Sequence, residues 1–288
     1  MKISEILRSG KVTVSCELFP PKKDGDIGRV KEVVRDISAL KPDFMSVTYG
    51  AGGGTSRNTA RIATEIQSCG VTALAHLTCV SSTKEEVGQI LSDLKENNIE
   101  NILALRGDIP QGSAFPSPGQ YRFAGELVAQ IREYGGFCIG AACYPEGHVE
   151  CAHREDDIGY LKRKVDSGCD FLTTQMFFDN NILYQFLYRV LARGIHIPVV
   201  AGIMPVTNSG QIKRICALSG TELPPRFKAI VDKFADNPAA MKQAGIAYAT
   251  EQIIDLIANG VNAVHIYTMN KPDIAAKIMD NLSEIIRP

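Results

Sequence analysis

The sequence predicts an α/β chain folded as a (β/α)8 TIM barrel on three observations: eight short apolar segments, helical spacing between them, and unusual residues gathered where the segments end. Segments rich in β-branched and aromatic residues run from Val12 to Leu18, Phe44 to Thr48, Ala73 to Thr78 and Ile102 to Leu105. Four more run from Phe137 to Cys143, Phe171 to Gln175, Val199 to Ile203 and Ala263 to Thr268. Each is a short, largely apolar segment that reads as a strand buried on both faces.

Between the strands the apolar period becomes helical, as in Ile27, Val30, Val33, Val34 and Ile37, in Val87, Ile90, Leu91 and Leu94, or in Ile274, Ile278, Leu282 and Ile285. Boundary signals agree with this. Ser82 and Thr83 precede Lys84-Glu85-Glu86, Asp179-Asn180 opens the helix after strand six, and Gly168 and Gly194 close others. Strand starts recur about every thirty residues, as βαβ units require. The interval between strands seven and eight is longer. Residues 208 to 220 supply the expected helix, and extra helices follow: one begins at Leu223 to Phe227, and a longer one runs from Met241 to Ala258 behind Asn237-Pro238. No linker divides the chain, so residues 1–288 read as one catalytic barrel domain. A doubly wound open sheet built from the same alternation is the alternative.

Composition narrows the class of ligand. The 288 residues are 45% hydrophobic, enough for a large core, and 31 Lys+Arg nearly balance 32 Asp+Glu without long runs of either sign. Nucleic acid and anionic membrane are therefore not expected partners. The amino terminus has no signal-type apolar region and no stretch reaches membrane-spanning length, so a soluble, cytoplasmic protein is expected. Eight scattered cysteines, most inside apolar runs, fit a reducing compartment. Cys143, His148, Cys151 and His153 lie close together, but their spacing matches no standard zinc pattern, and no metal is expected.

In a barrel the chemistry sits where strands end, and nearly every strand here delivers a polar or ring-bearing group to that rim. Strand one ends in Glu17, strand two in Thr48-Tyr49 and the glycine run at 50–54, strand three in His76 to Thr78, and strand four in Arg106-Gly107-Asp108. The later strands supply Tyr144, Glu146 and His148, then Gln175, then Met204-Pro205, and finally Tyr267 to Asn270. Any one of these is as readily a loop cap or ion-pair partner as a catalyst. Their joint placement marks a large ligand site.

The glycine run does not complete G-x-G-x-x-G and lacks a Walker lysine, so it reads as room for backbone to approach a flat ligand or to turn sharply. Strands two to seven offer no inner lysine for a Schiff base, and His76, His148 and His265 are too dispersed for a metal hydrolase. Redox chemistry on a bound organic cofactor survives the elimination.

The segments ELFPPK at 17–22, VTYG at 47–50, AHLTC at 75–79, LRGD at 105–108, ACYPEGH at 142–148, TTQMFF at 173–178, GIMPV at 202–206 and VHIYTMN at 264–270 resemble, in order and over essentially the whole chain, methylenetetrahydrofolate reductase. The resemblance implies a barrel flavoprotein of one-carbon metabolism and methionine biosynthesis. Such an oxidoreductase holds noncovalent FAD and takes hydride from NADH or NADPH. It passes the hydride to 5,10-methylenetetrahydrofolate, giving 5-methyltetrahydrofolate, in a ping-pong cycle. Carried over by position, Thr48, His76, Arg106, Gly107, Asp108, Ala142, Tyr144, His148, Asp157 and Lys164 would contact FAD. Glu17, Gln175, Gln211, Ile215 and Tyr267 would serve the substrate side, with Glu17 the acid and Asp108 acting beside the flavin. Arg106 and Lys164 would offset the diphosphate charge, although a lysine on a helix is by default solvated. Ile215 departs from the phenylalanine many members carry, so an apolar wall is kept but ring stacking is not. The chain ends after the last helix, so the carboxy-terminal regulatory domain of eukaryotic members is not expected. A homo-oligomer is expected. The alternatives are another FAD-dependent barrel oxidoreductase, such as one acting on an amino acid, and a non-catalytic barrel subunit of a larger complex.

Overall fold

The computed structural model describes residues 1–21, 26–49, 56–80, 82–109, 112 and 115–286. Lys22 and the glycine run at 50–54 lie outside the described residues. Eight parallel strands close into a barrel in chain order: β1 Thr13–Leu18, β2 Phe44–Val47, β3 Thr72–Thr78, β4 Asn101–Leu105, β5 Cys138–Cys143, β6 Phe171–Thr174, β7 Val199–Ile203 and β8 Ala263–Tyr267. All eight segments read from the sequence are strands, with ends shifted by a residue at most. The open-sheet alternative is ruled out by the pairing of β1 with β8, in which Ser15 faces His265 and Glu17 faces Tyr267.

Helices alternate with the strands on the outside: α2 Ile27–Ser38, α3 Ser56–Ser68, α4 Lys84–Glu96, α5 Ala124–Tyr134, α6 Arg154–Asp166 and α7 Asn180–Ala192. After β7 come the ordinary helix α8 Ser209–Ser219 and the two expected extra helices, α9 Pro225–Lys233 and α10 Pro238–Ala258, and after β8 α11 Pro272–Asn281 and α12 Ser283–Ile286. The starts of α4, α7, α8 and α10 are fixed by side chains. Thr83 Oγ1 accepts from Glu86 N at 3.2 Å while Glu86 accepts from Thr83 N at 2.7 Å. Asp179 caps α7 through Asn181 N, and Asn237 caps α10 through Ala240 N with Pro238 in the first turn. No described helix is long and apolar enough to cross a membrane.

The side-chain period of two sorts each strand into an outer and an inner set. Val14, Cys16, Leu18, Met45, Val47, Ala73, Ala75, Leu77, Ile102, Ala104, Ile139 and Ala141 pack outward against the helices in one core. Inside, the lower end is filled by a separate apolar layer of Phe44, Leu74, Leu103, Cys138, Phe171 and Val200. That layer is capped by a helix the sequence reading did not contain, α1 Ile3–Leu7, whose Ile3 is fully buried in it and whose Ile6 and Leu7 pack against it. Five residues are too few to hold a helix alone. Tertiary contacts do so here: Asn101 Oδ1 accepts from Ile3 N at 2.8 Å, and Asn101 Nδ2 donates to Met1 O and Ala73 O. The barrel is therefore sealed at its lower end, and its upper end alone carries the inward polar residues described next.

Candidate active site

Above the apolar layer the barrel interior turns polar. Ser15 and Glu17 of β1, Ser46 of β2, His76 of β3 and His265 of β8 are all buried. Glu17 Oε2 lies 3.8 Å from His76 Nε2 and 3.8 Å from His265 Nε2, with a tenth of its side chain exposed. The carboxyl is thus held between two imidazoles at the floor of the mouth. His265 is anchored on both nitrogens, with Nδ1 2.7 Å from Ser15 Oγ and Nε2 3.1 Å from Ser46 Oγ. Phe44 stacks beneath its ring, with centroids 6.0 Å apart, and closes the cluster from below. His76 Nε2 is buried without a hydrogen-bond partner. Burial pushes the His76 imidazole down to about 4, against the opposing pull of Glu17, so the ring is neutral at neutral pH.

Tyr267, in register with Glu17, donates from its hydroxyl to Thr174 O at 2.6 Å and meets the His265 ring edge to face. Burial, reinforced by the Glu17 charge, holds this phenol well above the usual tyrosine range, so it remains a donor. Its place is made by Gly202 on β7. A Cβ there would lie 2.5 Å from Thr174 O and collide with the Tyr267 hydroxyl.

The end of β8 is tied to the end of β1. Thr268 Oγ1 donates to Glu17 O at 2.6 Å, and the Asn270 side chain both accepts from Phe19 N at 2.8 Å and donates to Phe19 O at 2.9 Å. Met269 and Asn270 reach this geometry in the left-handed region, at φ of 53° and 55°. The sequence marked Asn270 only as a rim residue. Its role as a clamp on the strand carrying Glu17 follows from barrel closure.

The β4–β5 side of the mouth gathers most of the expected cofactor contacts. Arg106 makes a forked pair with Glu150, both bonds 2.6 Å, which the sequence reading did not anticipate. Gly107 takes φ of 86°, and a Cβ there would lie 2.8 Å from the Val80 side chain. Asp108 is exposed on the rim. Tyr144 packs edge to face on His148, with centroids 4.7 Å apart. Burial pushes its phenol up to about 12, with Arg106 opposing and Cys143, Asp157 and Asp108 adding to the rise, which places Asp108 in the same electrostatic neighbourhood. Asp157 accepts from His148 N at 3.3 Å, and its carboxyl is raised chiefly by burial. His148 Nδ1 accepts from Glu150 N at 3.2 Å, which leaves the neutral ring's proton on Nε2. Lys164 is not the solvated lysine of an ordinary helix face: its Nζ donates to Ala142 O at 2.6 Å, and burial lowers its ammonium.

The remaining expected residues divide. Thr48 and Gln175 are half-buried at their strand ends, and Gln175 Oε1 accepts from Met176 N at 3.0 Å, so its NH2 is the group left for a ligand. Ile215 is half-buried in an apolar cluster with Phe178, Phe227 and Tyr267, which makes the α8 side of the mouth an aliphatic and aromatic wall. Gln211 is exposed in the first turn of α8, outside the buried cluster. Cys143 points outward into the helix-facing core, and Cys151 Sγ donates to His153 O. Among the described residues no group of three or more histidine, cysteine or acidic side chains is arranged to hold a metal ion.

Comparison with known proteins places this geometry. The methylenetetrahydrofolate reductase family model matches residues 2–283. The 5,10-methylenetetrahydrofolate reductase of Escherichia coli (strain K12) is 35% identical over 280 residues, covering 97% of this chain and 93% of that protein. Methylenetetrahydrofolate reductase (NADH) 1 of Zea mays is 36% identical over 307 residues, covering 100% of this chain and 52% of that protein. The chain thus spans about half the length of its plant relatives. Among solved structures, an uncharacterized protein from Clostridium thermocellum that binds two copies of 5-methyl-5,6,7,8-tetrahydrofolic acid superposes with a TM-score of 0.63 at 14% identity, covering 99% of both chains. Tryptophan synthase from M. tuberculosis follows at a TM-score of 0.53 and 11% identity, over 97% of this chain and 96% of that one. These two likenesses show the barrel fold alone.

Proposed function

The chain belongs to the methylenetetrahydrofolate reductase family, and from that premise we propose that it reduces 5,10-methylenetetrahydrofolate to 5-methyltetrahydrofolate with a nicotinamide hydride donor and FAD. NADH is the donor named for the plant relatives. The observation that carries the reading is Glu17: a carboxyl on the barrel floor, between two imidazoles and open only toward the mouth.

The residues around the mouth fit FAD. Arg106 and Lys164 supply positive charge on the side where Tyr144 and His148 supply rings, and the buried, unpartnered His76 Nε2 is a polar atom facing the interior. Arg106, Lys164, Tyr144, His148 and Asp157 would hold the cofactor, with Gly107 letting backbone approach it. When bound, FAD accepts hydride from the nicotinamide and later delivers it to the folate.

The protein's own part in the folate half is a proton. Methylenetetrahydrofolate holds its one-carbon unit in a five-membered ring between two nitrogens, and hydride cannot add until one carbon–nitrogen bond breaks. The departing nitrogen takes the electron pair and needs a proton, which Glu17 is placed to give. Nicotinamide oxidation needs no protein acid. Ile215 and its neighbours form the apolar wall against which each substrate in turn would pack, and Gln175 offers an amide donor to the pterin. A cytoplasmic setting fits eight free cysteines.

Glu17→Gln tests the assignment. The variant should be yellow, release intact FAD on acid or heat treatment, and be reduced by NADH at a rate comparable to the parent. Reoxidation by methylenetetrahydrofolate should fall by ~100-fold or more, as when a general acid is removed. Equal loss in both halves, or none in the folate half, would show that Glu17 is not the acid.

A further inference from the structure

Glu150, in the loop between β5 and α6, is given no role by the family resemblance, yet its carboxylate takes both terminal nitrogens of Arg106, at 2.6 Å each. The pair is unevenly enclosed: the Arg106 side chain is 20% exposed and that of Glu150 54%. An ion pair with one partner so open adds little to stability. The loop is instead held by its main chain, since Glu150 N donates to His148 Nδ1 at 3.2 Å and Cys151 N donates to His148 O at 2.9 Å. The consequence of the fork is therefore electrostatic. Around the Tyr144 and His148 rings the cations Arg106 and Lys164 share one neighbourhood with the acids Glu150, Asp157 and Asp108. Lys164 Nζ is bound to Ala142 O, and Asp157 accepts from His148 N. Arg106 differs, because its partner is a carboxylate already half in solvent, which water takes over at small cost when the fork opens.

We propose that Glu150 is a built-in competitor for the cofactor's diphosphate: its carboxylate holds the Arg106 fork, so that binding exchanges one ion pair for another and favours a ligand that engages the mouth through more than its phosphates. The inference rests on the reading of Arg106 as a partner of the FAD diphosphate. Carboxylate and phosphate both match the planar guanidinium bidentately, so the two compete for the same donors. In the exchange Arg106 trades Glu150 for phosphate oxygens, Glu150 goes to water as a carboxylate, and no proton or electron moves. Glu150 thereby makes the site selective against small anions. Inorganic phosphate must open the fork for that one contact, whereas FAD adds ring systems, for which this side of the mouth supplies Tyr144 and His148.

The test is a titration of the full chain, stripped of FAD, with FAD and with riboflavin at fixed low ionic strength, followed by flavin fluorescence. Glu150→Gln keeps the shape of the side chain and the main-chain bonds of the loop and removes the charge. It should bind FAD ~3- to 10-fold more tightly, the scale of one solvent-facing ion pair, and bind riboflavin, which has no phosphate, as the parent does. Inorganic phosphate should compete with FAD at lower concentration in the variant than in the parent. Arg106→Lys keeps the positive charge without the fork, and in that background Glu150→Gln should gain much less. Unchanged or weaker FAD binding in Glu150→Gln would overturn the proposal, weaker binding showing that Glu150 holds Arg106 in place for the cofactor. An equal gain for riboflavin, or an undiminished gain in the Arg106→Lys background, would overturn it as well, since a general field effect then suffices. A parent protein that binds neither FAD nor riboflavin would instead overturn the proposed function on which the inference rests.

Discussion

Gly202→Ala is a one-carbon change whose cost can be worked from the structure. The added Cβ would sit 2.5 Å from the Thr174 carbonyl oxygen and overlap the Tyr267 hydroxyl. Thr174 is held in the barrel by its strand neighbours, since β5 pairs with it through Cys143 and its own Oγ1 accepts from Gly202 N at 2.9 Å. The carbonyl cannot retreat, so the Tyr267 ring must. Moving it breaks the 2.6 Å bond to Thr174 O and leaves a buried acceptor unpaired, at about 1–3 kcal/mol. Crowding of the surrounding layer adds about 1–3 kcal/mol. The sum is about 2–6 kcal/mol, measured as the loss of unfolding free energy in urea. Tyr267→Phe removes only the hydroxyl and should cost about 1–2 kcal/mol. Because both changes act on one contact, the double variant should be less destabilised than the two losses added. A Gly202→Ala protein within about 0.5 kcal/mol of the parent, or strict additivity with Tyr267→Phe, would refute the reasoning.

Asp108→Asn removes a negative charge in the neighbourhood of Tyr144, and the flavin midpoint potential should rise; an unchanged or lower potential in a spectroelectrochemical titration would place Asp108 outside the cofactor's field. His76 is pushed from 6.5 down to about 4 by burial, so between those pH values the unfolded chain binds a proton that the folded chain refuses. Stability should therefore rise with pH across that window, by up to about 3 kcal/mol from this residue, and urea unfolding of His76→Gln should show a shallower rise.

Much of this architecture was legible because it is local. Short, largely apolar segments gave the strands, Thr83, Asp179 and Asn237 announced helix starts that prove to be capped as expected, and the helices of 209–258 were visible as an overlong interval. The rim residues were legible because strand ends point to one face. What escaped is what depends on closure or on loop paths. Ser15 and His265 are separated by nearly the whole chain and meet only because β8 pairs with β1, although alternation alone places Ser15 with Glu17 and His265 with Tyr267. The Arg106–Glu150 fork joins two loops whose course no periodicity encodes. In α1 the apolar Ile3, Ile6 and Leu7 span too few residues to show a period, so the plug under the barrel was invisible. Lys164 looked like a surface residue on its helix; only the approach of α6 to β5 turns it onto Ala142 O.

The most direct test of the folate-reductase assignment is anaerobic mixing of the purified, FAD-loaded protein with one equivalent of NADH and then with methylenetetrahydrofolate, following the flavin absorbance and the folate product. The expected result is bleaching on the first addition and full recovery on the second, with 5-methyltetrahydrofolate formed in equal amount. Absorbance that stays bleached after methylenetetrahydrofolate, or recovers without 5-methyltetrahydrofolate, would contradict it.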